Sequence, residues 1–298
     1  MPDAISFVEV GPRNGFQSIA EPVPTETKVR IIDMLAEAGM SRIEVTSFVS
    51  PKAVPQFADA EQVIVAISSA ARERARYLIP NVRGMERAIA AGARNVLFIV
   101  SASEQFNRAN VNRAIGDTMA ELAGVMRLAN EHRVKMDVSI SAAFVCPFEG
   151  RMPEAKVIAL THQVHALGVR EMSIADTIGA ANPKHVRDLF TLLRRELPNV
   201  RFDAHFHDTR GMGLANALAA FEAGVDLFEG SIAGIGGCPF APGATGNVCS
   251  EDLLYMFEQM GVRTGVDLDR LIETARYLEK ALGRELPGRV KKAGRAKA

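Results

Sequence analysis

The 298-residue chain has no tryptophan and only three tyrosines and three cysteines, and it carries no excess charge, with 35 lysines and arginines against 35 aspartates and glutamates. Each scarcity removes a class of function. Aromatics at 6% leave little stacking surface for single-stranded nucleic acid, and a formal charge of zero gives no long-range field to draw in nucleic acid or an anionic membrane. Cys146, Cys238 and Cys249 are odd in number and form no Cys-x-x-Cys pair, so neither a disulfide framework nor a thiolate zinc site is indicated and a reducing cytoplasm is the expected setting. No apolar run approaches the ~18 residues of a membrane helix, and Met1-Pro2-Asp3 does not open an export signal. The 48% hydrophobic content and mean hydropathy of +0.05 suit a soluble globular protein with a large core, and small-molecule chemistry is the natural expectation.

Short β-rich runs alternate with longer helical patterns. Strands are expected over 5–10, 42–47, 76–80, 95–100, 135–141, 170–176, 200–207 and 226–232. Helices are expected near 25–38, 59–70, 83–91, 112–131, 153–167, 183–195 and 209–222, with 248–260 and 266–283 after the last strand. Gly39, Gly92, Gly168 and Gly224 each follow a helical pattern where a left-handed C-cap would hand the chain to the next strand. Eight repeated βα units, with strands apolar enough to be covered on both faces, predict a (β/α)₈ barrel with extra C-terminal helices, spanning 1–285 as one domain. Residues 286–298 read as a basic, solvated tail.

Active sites of such barrels assemble at the C-terminal ends of the strands, and the unusual polar residues fall there. Strand one leads into Glu9, Arg13, Asn14 and Gln17; strand two carries Glu44, Thr46 and Ser47; strand six ends on Asp176; strand seven ends on His205, His207 and Asp208. After strand eight comes a loop with five glycines from Gly234 to Asn247, carrying Cys238. Strand alternation puts His205 and His207 on one face, about 7 Å apart along the strand, where they can converge on one metal. No third Cys or His stands at a zinc-like spacing, so further ligands would be oxygens, favouring Mg²⁺ or Mn²⁺, with Asn247 and Asn14 as candidates. A Schiff-base aldolase is disfavoured because Lys135 opens strand five, at the opposite rim. The glycine loop lacks a Gly-Lys-Ser/Thr, which disfavours nucleotide hydrolysis, and suits a flap whose Cys238 thiol, protonated near neutrality, can deliver a proton to a carbanion. Cys146 and Cys249 are expected to fill apolar space.

Four motifs occurring in order now carry a resemblance. Val-Glu-Val-Gly-Pro-Arg13-Asn14-Gly-Phe-Gln17, Ile-Glu44-Val-Thr-Ser-Phe-Val-Ser-Pro-Lys52, His205-Phe-His207-Asp-Thr and Ala-Gly-Ile-Gly-Gly-Cys238-Pro-Phe together resemble the 3-hydroxy-3-methylglutaryl-CoA lyase family over about residues 5–285. The resemblance implies cleavage of 3-hydroxy-3-methylglutaryl-CoA, or a close 3-hydroxy-3-methylacyl-CoA, to acetyl-CoA and acetoacetate or the matching keto acid. It further implies a divalent cation, an acyl-CoA partner, a homodimer and a place in leucine breakdown. Carried over residue by residue, His205, His207 and Asn247 are ligands, and the family's aspartate falls on Asn14.

That substitution removes a full negative charge from the metal shell, so metal affinity is expected to fall, with Glu44, Asp176, Asp208 or Glu9 restoring part of the charge from behind. In the lyase reading Arg13 stabilises the enolate oxygen and Cys238 protonates the carbon, while Glu44 and Asp176 are further catalytic candidates. Gln17, Thr46, Ser47, Phe48 and Lys52 are candidates for the acyl and pantetheine path, although a purely structural role is the plainer account of the last four. The base is left open between the histidine pair and Glu44. Two alternatives stand beside this reading: an acyl-CoA-binding homologue without strong activity, and a synthase condensing an acyl-CoA with a 2-keto acid.

Overall fold

The computed structural model describes residues 1–237 and 246–296. Among these, eight parallel strands close into a barrel in sequential order: β1 Ser6–Glu9, β2 Arg42–Ser47, β3 Ala75–Leu78, β4 Asn95–Ser101, β5 Lys135–Ser141, β6 Glu171–Asp176, β7 Arg201–Phe206 and β8 Leu227–Gly230. The first and last strands seal it, with Ser6 opposite Leu227 and Glu9 opposite Gly230. The expected (β/α)₈ barrel is therefore the fold, with each strand within two residues of its expected span.

The helices form because apolar residues recur on one face and local caps fix their ends. Asn81 and Asn182 accept from the backbone N–H of Gly84 and His185 at 2.8 and 3.0 Å, opening the helices Val82–Ala90 and Pro183–Glu196. Gly39, Gly92, Gly168 and Gly224 all have φ between 83° and 104°, the left-handed handover expected of them. The core lies between the strands and this helical layer, where Phe144 sits 5.3 to 6.3 Å from the rings of His185, Phe190 and Phe206.

Three expectations need correction. The helix expected over 59–70 is two, Ala60–Ala66 and Ser69–Glu73, because the Ser68 hydroxyl caps Ala71 N–H at 3.2 Å and restarts the chain. The helix expected over 112–131 runs from Ile115 to His132, and a further helix that was not expected, Glu104–Val111, precedes it and ends at Asn112 with φ 54°. Of the segment 286–298, expected to be solvated, residues 289–291 are docked: Asp252 accepts from the N–H of Arg289 and Val290 at 3.0 and 2.7 Å, and the buried Lys291 ammonium reaches Glu279 at 2.6 Å.

The barrel lumen is charged rather than apolar. Arg42 on β2 reaches Asp137 on β5, and Arg76 on β3 reaches Glu229 on β8, contacts that only a path through the lumen allows. Val8, Val10 and Leu227 form a small apolar cluster of their own. At the N-terminal rim Lys135 pairs with Glu171 at 3.2 Å and Asp137 at 3.4 Å, which takes it out of the chemistry at the other end.

Candidate active site at the barrel mouth

After β1 the chain makes a single π-turn over Gly11–Gly15, closed when Phe16 N–H donates to the Gly11 carbonyl. Arg13 and Asn14 sit in this turn. The Arg13 guanidinium is buried and pairs through Nε with the Glu44 carboxylate, so the partner is Glu44 on β2, and Glu9 is engaged elsewhere. Glu44 Oε2 in turn accepts from Arg76 Nη2 at 2.8 Å.

The two histidines stand on one face of the end of β7 with ring centroids 5.2 Å apart. His205 Nδ1 lies 2.7 Å from Glu229 Oε2. Burial alone would raise Glu229, yet Arg76 and His205 hold it well below the usual carboxylate range. An ionised carboxylate only accepts, so His205 Nδ1 is the donor of this hydrogen bond. Burial, with His205 and Arg13 nearby, drives His207 well below the ordinary imidazole range, which keeps that ring neutral and able to ligate.

Asn247 closes the group. Its amide Nδ2 donates to Asn14 Oδ1 at 3.1 Å and to the Ile235 carbonyl at 3.2 Å, and its backbone bridges His207. Gly236, at φ 134°, lies so close that a Cβ there would stand 2.4 Å from that Nδ2. Asn247 Oδ1 and His207 Nδ1 are both buried without a hydrogen-bond partner. Two such orphans on bridged residues, an amide oxygen and a neutral imidazole nitrogen, are the donor types a divalent cation takes. Among the described residues no three imidazole, thiol or carboxylate groups converge on a metal position, so a metal here depends on the two amides.

The mouth opens into a cavity of about 1020 Å³ whose lining includes Arg13, Asn14, Gln17, His205, His207 and Glu229, together with Asn110, Arg113 and Arg284. That volume suits a substrate with a long arm.

Other expected site residues fall elsewhere. Asp176 accepts from Ala180 and Ala181 N–H at 3.0 Å each, holding the loop after β6, and burial raises its carboxyl. Thr46, Ser47, Phe48 and Lys52 do not line the cavity, whereas Val49, Ser50, Ala53 and Val54 do. A bulge between Glu44 and Thr46 breaks the strand alternation, Phe48 packs edge-on to Tyr77, and Lys52 is exposed. Asp208 Oδ1 accepts from Gly213 N–H at 2.8 Å. Glu9 accepts from Gly11 and Ile232 N–H and from the Ser250 hydroxyl, tying the loops after β1 and β8 together. Cys146 and Cys249 are buried as expected but each has a polar partner, Ser103 at 3.0 Å and Glu251 at 3.1 Å. Cys238 lies outside the described residues.

Residue-type reasoning missed Arg76 and Glu229. Both are ionisable residues inside short apolar strands, Ala75–Leu78 and Leu227–Gly230, and a buried charge demands a partner. That demand was the available signal.

The closed barrel with arginine, imidazole and amide groups gathered at the C-terminal mouth defines the class: a (β/α)₈-barrel protein with a small-molecule active-site architecture. The chain belongs to the HMGL-like family, whose model matches residues 4–278. It is 42% identical to the mitochondrial hydroxymethylglutaryl-CoA lyase of Mus musculus, covering 98% of this chain and 90% of that protein. It is 39% identical to hydroxymethylglutaryl-CoA lyase YngG of Bacillus subtilis, over 97% of this chain and 96% of the relative. The HMG-CoA lyase of Acinetobacter baumannii, solved in complex with coenzyme A and 3-methylmalate, superposes with a TM-score of 0.94 at 38% identity, covering 99% of this chain and 96% of that one.

Proposed function

We propose that this chain is a carbon–carbon lyase that cleaves 3-hydroxy-3-methylglutaryl-CoA, or a close 3-hydroxy-3-methylacyl-CoA, to acetyl-CoA and a keto acid, acetoacetate for the former. The observation that carries the reading is the pair of orphaned ligand atoms, Asn247 Oδ1 and His207 Nδ1, on bridged residues, with His207 and the buried Arg13 both lining the cavity. Near-full-length kinship to hydroxymethylglutaryl-CoA lyases and a neighbour holding coenzyme A support the substrate class.

His205, His207, Asn247 and Asn14 would hold a divalent cation, Mg²⁺ or Mn²⁺, which when bound acidifies the substrate hydroxyl. Arg13 commits Nε to Glu44 and has its terminal nitrogens left to bind the thioester oxygen, where negative charge gathers as the carbon–carbon bond breaks. Glu44 stands behind Arg13 and Asp176 is held by backbone amides, so neither reaches the hydroxyl. Its proton goes to His205 Nε2 where His207 and the two amides hold the cation and leave that nitrogen free, and Glu229 at His205 Nδ1 balances the positive ring that results. On the sequence likeness alone, Cys238 is the donor that protonates the departing acetyl carbon. Homodimerisation belongs to the same reading on that likeness, and a cytoplasmic setting rests on the cysteine usage alone.

The test is an acyl-CoA panel assayed with Mg²⁺, Mn²⁺ and EDTA. Metal-dependent release of acetyl-CoA is expected. Acyl-CoA binding without cleavage under every condition would leave a binding homologue, and free CoA released only with an added 2-keto acid would identify a synthase.

A further inference from the structure

One side chain lies between the two halves of the site and belongs to neither. Arg76 is 1% exposed, and its Nη2 donates to Glu44 Oε2 at 2.8 Å and also to Glu229 Oε1. Glu44 holds Arg13 and Glu229 holds His205. The opposite nitrogen, Nη1, faces Asp137 and Asp203 at 3.8 and 3.9 Å. A fully buried guanidinium is planar, permanently charged and rigid, so the two hydrogens of one nitrogen fix the separation and direction of the two carboxylates they meet. The strands involved, β2, β3, β7 and β8, come from opposite ends of the sequence, and no backbone pairing joins β3 to β8.

We propose that Arg76 is a positioning residue that couples the substrate arginine to the metal-side histidine, holding Glu44 and Glu229, and through them Arg13 and His205, in one geometry. The proposal rests on the lyase reading for its catalytic consequence, but the coupling itself is a property of the lumen. A lysine at this place is shorter and carries a point charge without a planar fork, so it retains a positive charge among the lumen acids but reaches one carboxylate at a time. Its effect should therefore appear on both sides of the site.

The experiment titrates Mn²⁺ into the metal-stripped protein, by calorimetry or by the electron paramagnetic resonance signal of free Mn²⁺, alongside kcat and KM. Arg76→Lys is expected to weaken Mn²⁺ binding about tenfold, as loss of support behind a metal ligand commonly does, and to lower kcat more than it raises KM. Glu44→Gln touches no ligand, yet in the wild-type background it should weaken Mn²⁺ binding, and in the Arg76→Lys background it should add little. A direct electrostatic effect of Glu44 would be equal in both backgrounds and would overturn the coupling. So would a folded Arg76→Lys protein with wild-type Mn²⁺ affinity and kcat. If Arg76→Lys does not fold, Glu44→Gln and Glu229→Gln with their double variant take its place: additive losses of Mn²⁺ affinity refute the coupling, and a shortfall from additivity supports it. Failure of the lyase reading would show separately, as wild-type protein that cleaves no acyl-CoA while the Mn²⁺ titrations still report on Arg76.

Discussion

Replacing Glu9 by glutamine should remove a sizeable part of the protein's loss of stability as pH rises. The Glu9 side chain is fully buried, its Oε1 accepting from Gly11 and Ile232 N–H at 2.7 and 2.8 Å and its Oε2 meeting the Ser250 hydroxyl at 2.6 Å. Burial, helped by Glu251 nearby and only partly opposed by these hydrogen bonds, lifts its pKa from 4.5 to about 8. Between those values the native chain keeps a proton that the unfolded chain has released. Stability therefore falls as pH rises from about 4.5 to about 8 and is indifferent to this group outside that window. The interval is about 3.5 pH units at 1.36 kcal/mol each, an upper limit of about 5 kcal/mol. In Glu9→Gln the amide oxygen keeps both backbone donors, the amide N–H can donate to Ser250, and there is no proton to lose. The variant should match wild type near pH 4.5 and exceed it by several kcal/mol at pH 8. Urea unfolding followed by circular dichroism at pH 4.5, 6, 7 and 8, with equal slopes in denaturant, measures the difference directly. Parallel stability profiles for the two proteins would refute the reasoning, because they would mean that Glu9 ionises in the fold at no cost.

Asn14→Asp restores a carboxylate beside Asn247 and should tighten Mn²⁺ binding by roughly tenfold or more, with faster cleavage; a calorimetric titration showing no gain, or a slower enzyme, would show that the amide is adapted to its place. Gly236→Ala would push a Cβ against the Asn247 amide at a left-handed φ of 134°, so Mn²⁺ binding should weaken about tenfold while the far-ultraviolet dichroism stays that of wild type. Phe144→Ala empties a fully buried position among Phe190, Phe206 and His185 and should cost about 3–5 kcal/mol of unfolding free energy, read from the same urea titrations.

The barrel was legible because its signals are local. Apolar runs mark the strands, four of them preceded by a glycine stop, and Gly39, Gly92, Gly168 and Gly224 adopt the left-handed conformation their positions implied. The helix break at Ser68 was missed because one capping hydroxyl interrupts a hydrophobic period without erasing it, and the helix Glu104–Val111 was missed because its eight residues bury only Phe106 and Asn107 and so show no apolar period. At the mouth, polar residues stand out against apolar strands, so Arg13, Asn14, His205, His207 and Asn247 could be grouped before any contact was known, and the structure brings them together. Thr46, Ser47, Phe48 and Lys52 lie off the cavity wall, as the plainer structural account of them has it; the bulge after Glu44 breaks the alternation at Thr46 and Ser47, and nothing in Val-Thr-Ser-Phe announces it. Arg76 and Glu229 escaped because their partnership spans 153 positions of sequence; only closure of the barrel makes them neighbours.

The π-turn over Gly11–Gly15 has a steric corollary. A wider coil rotates each successive side chain through a smaller angle than an α-turn does, so two consecutive residues, a cation and an amide, can aim at the same opening. Tightening that coil by one residue would swing one of the pair toward the wall of the cylinder, which makes the length of this five-residue bend as specific a requirement as the identity of the side chains it presents.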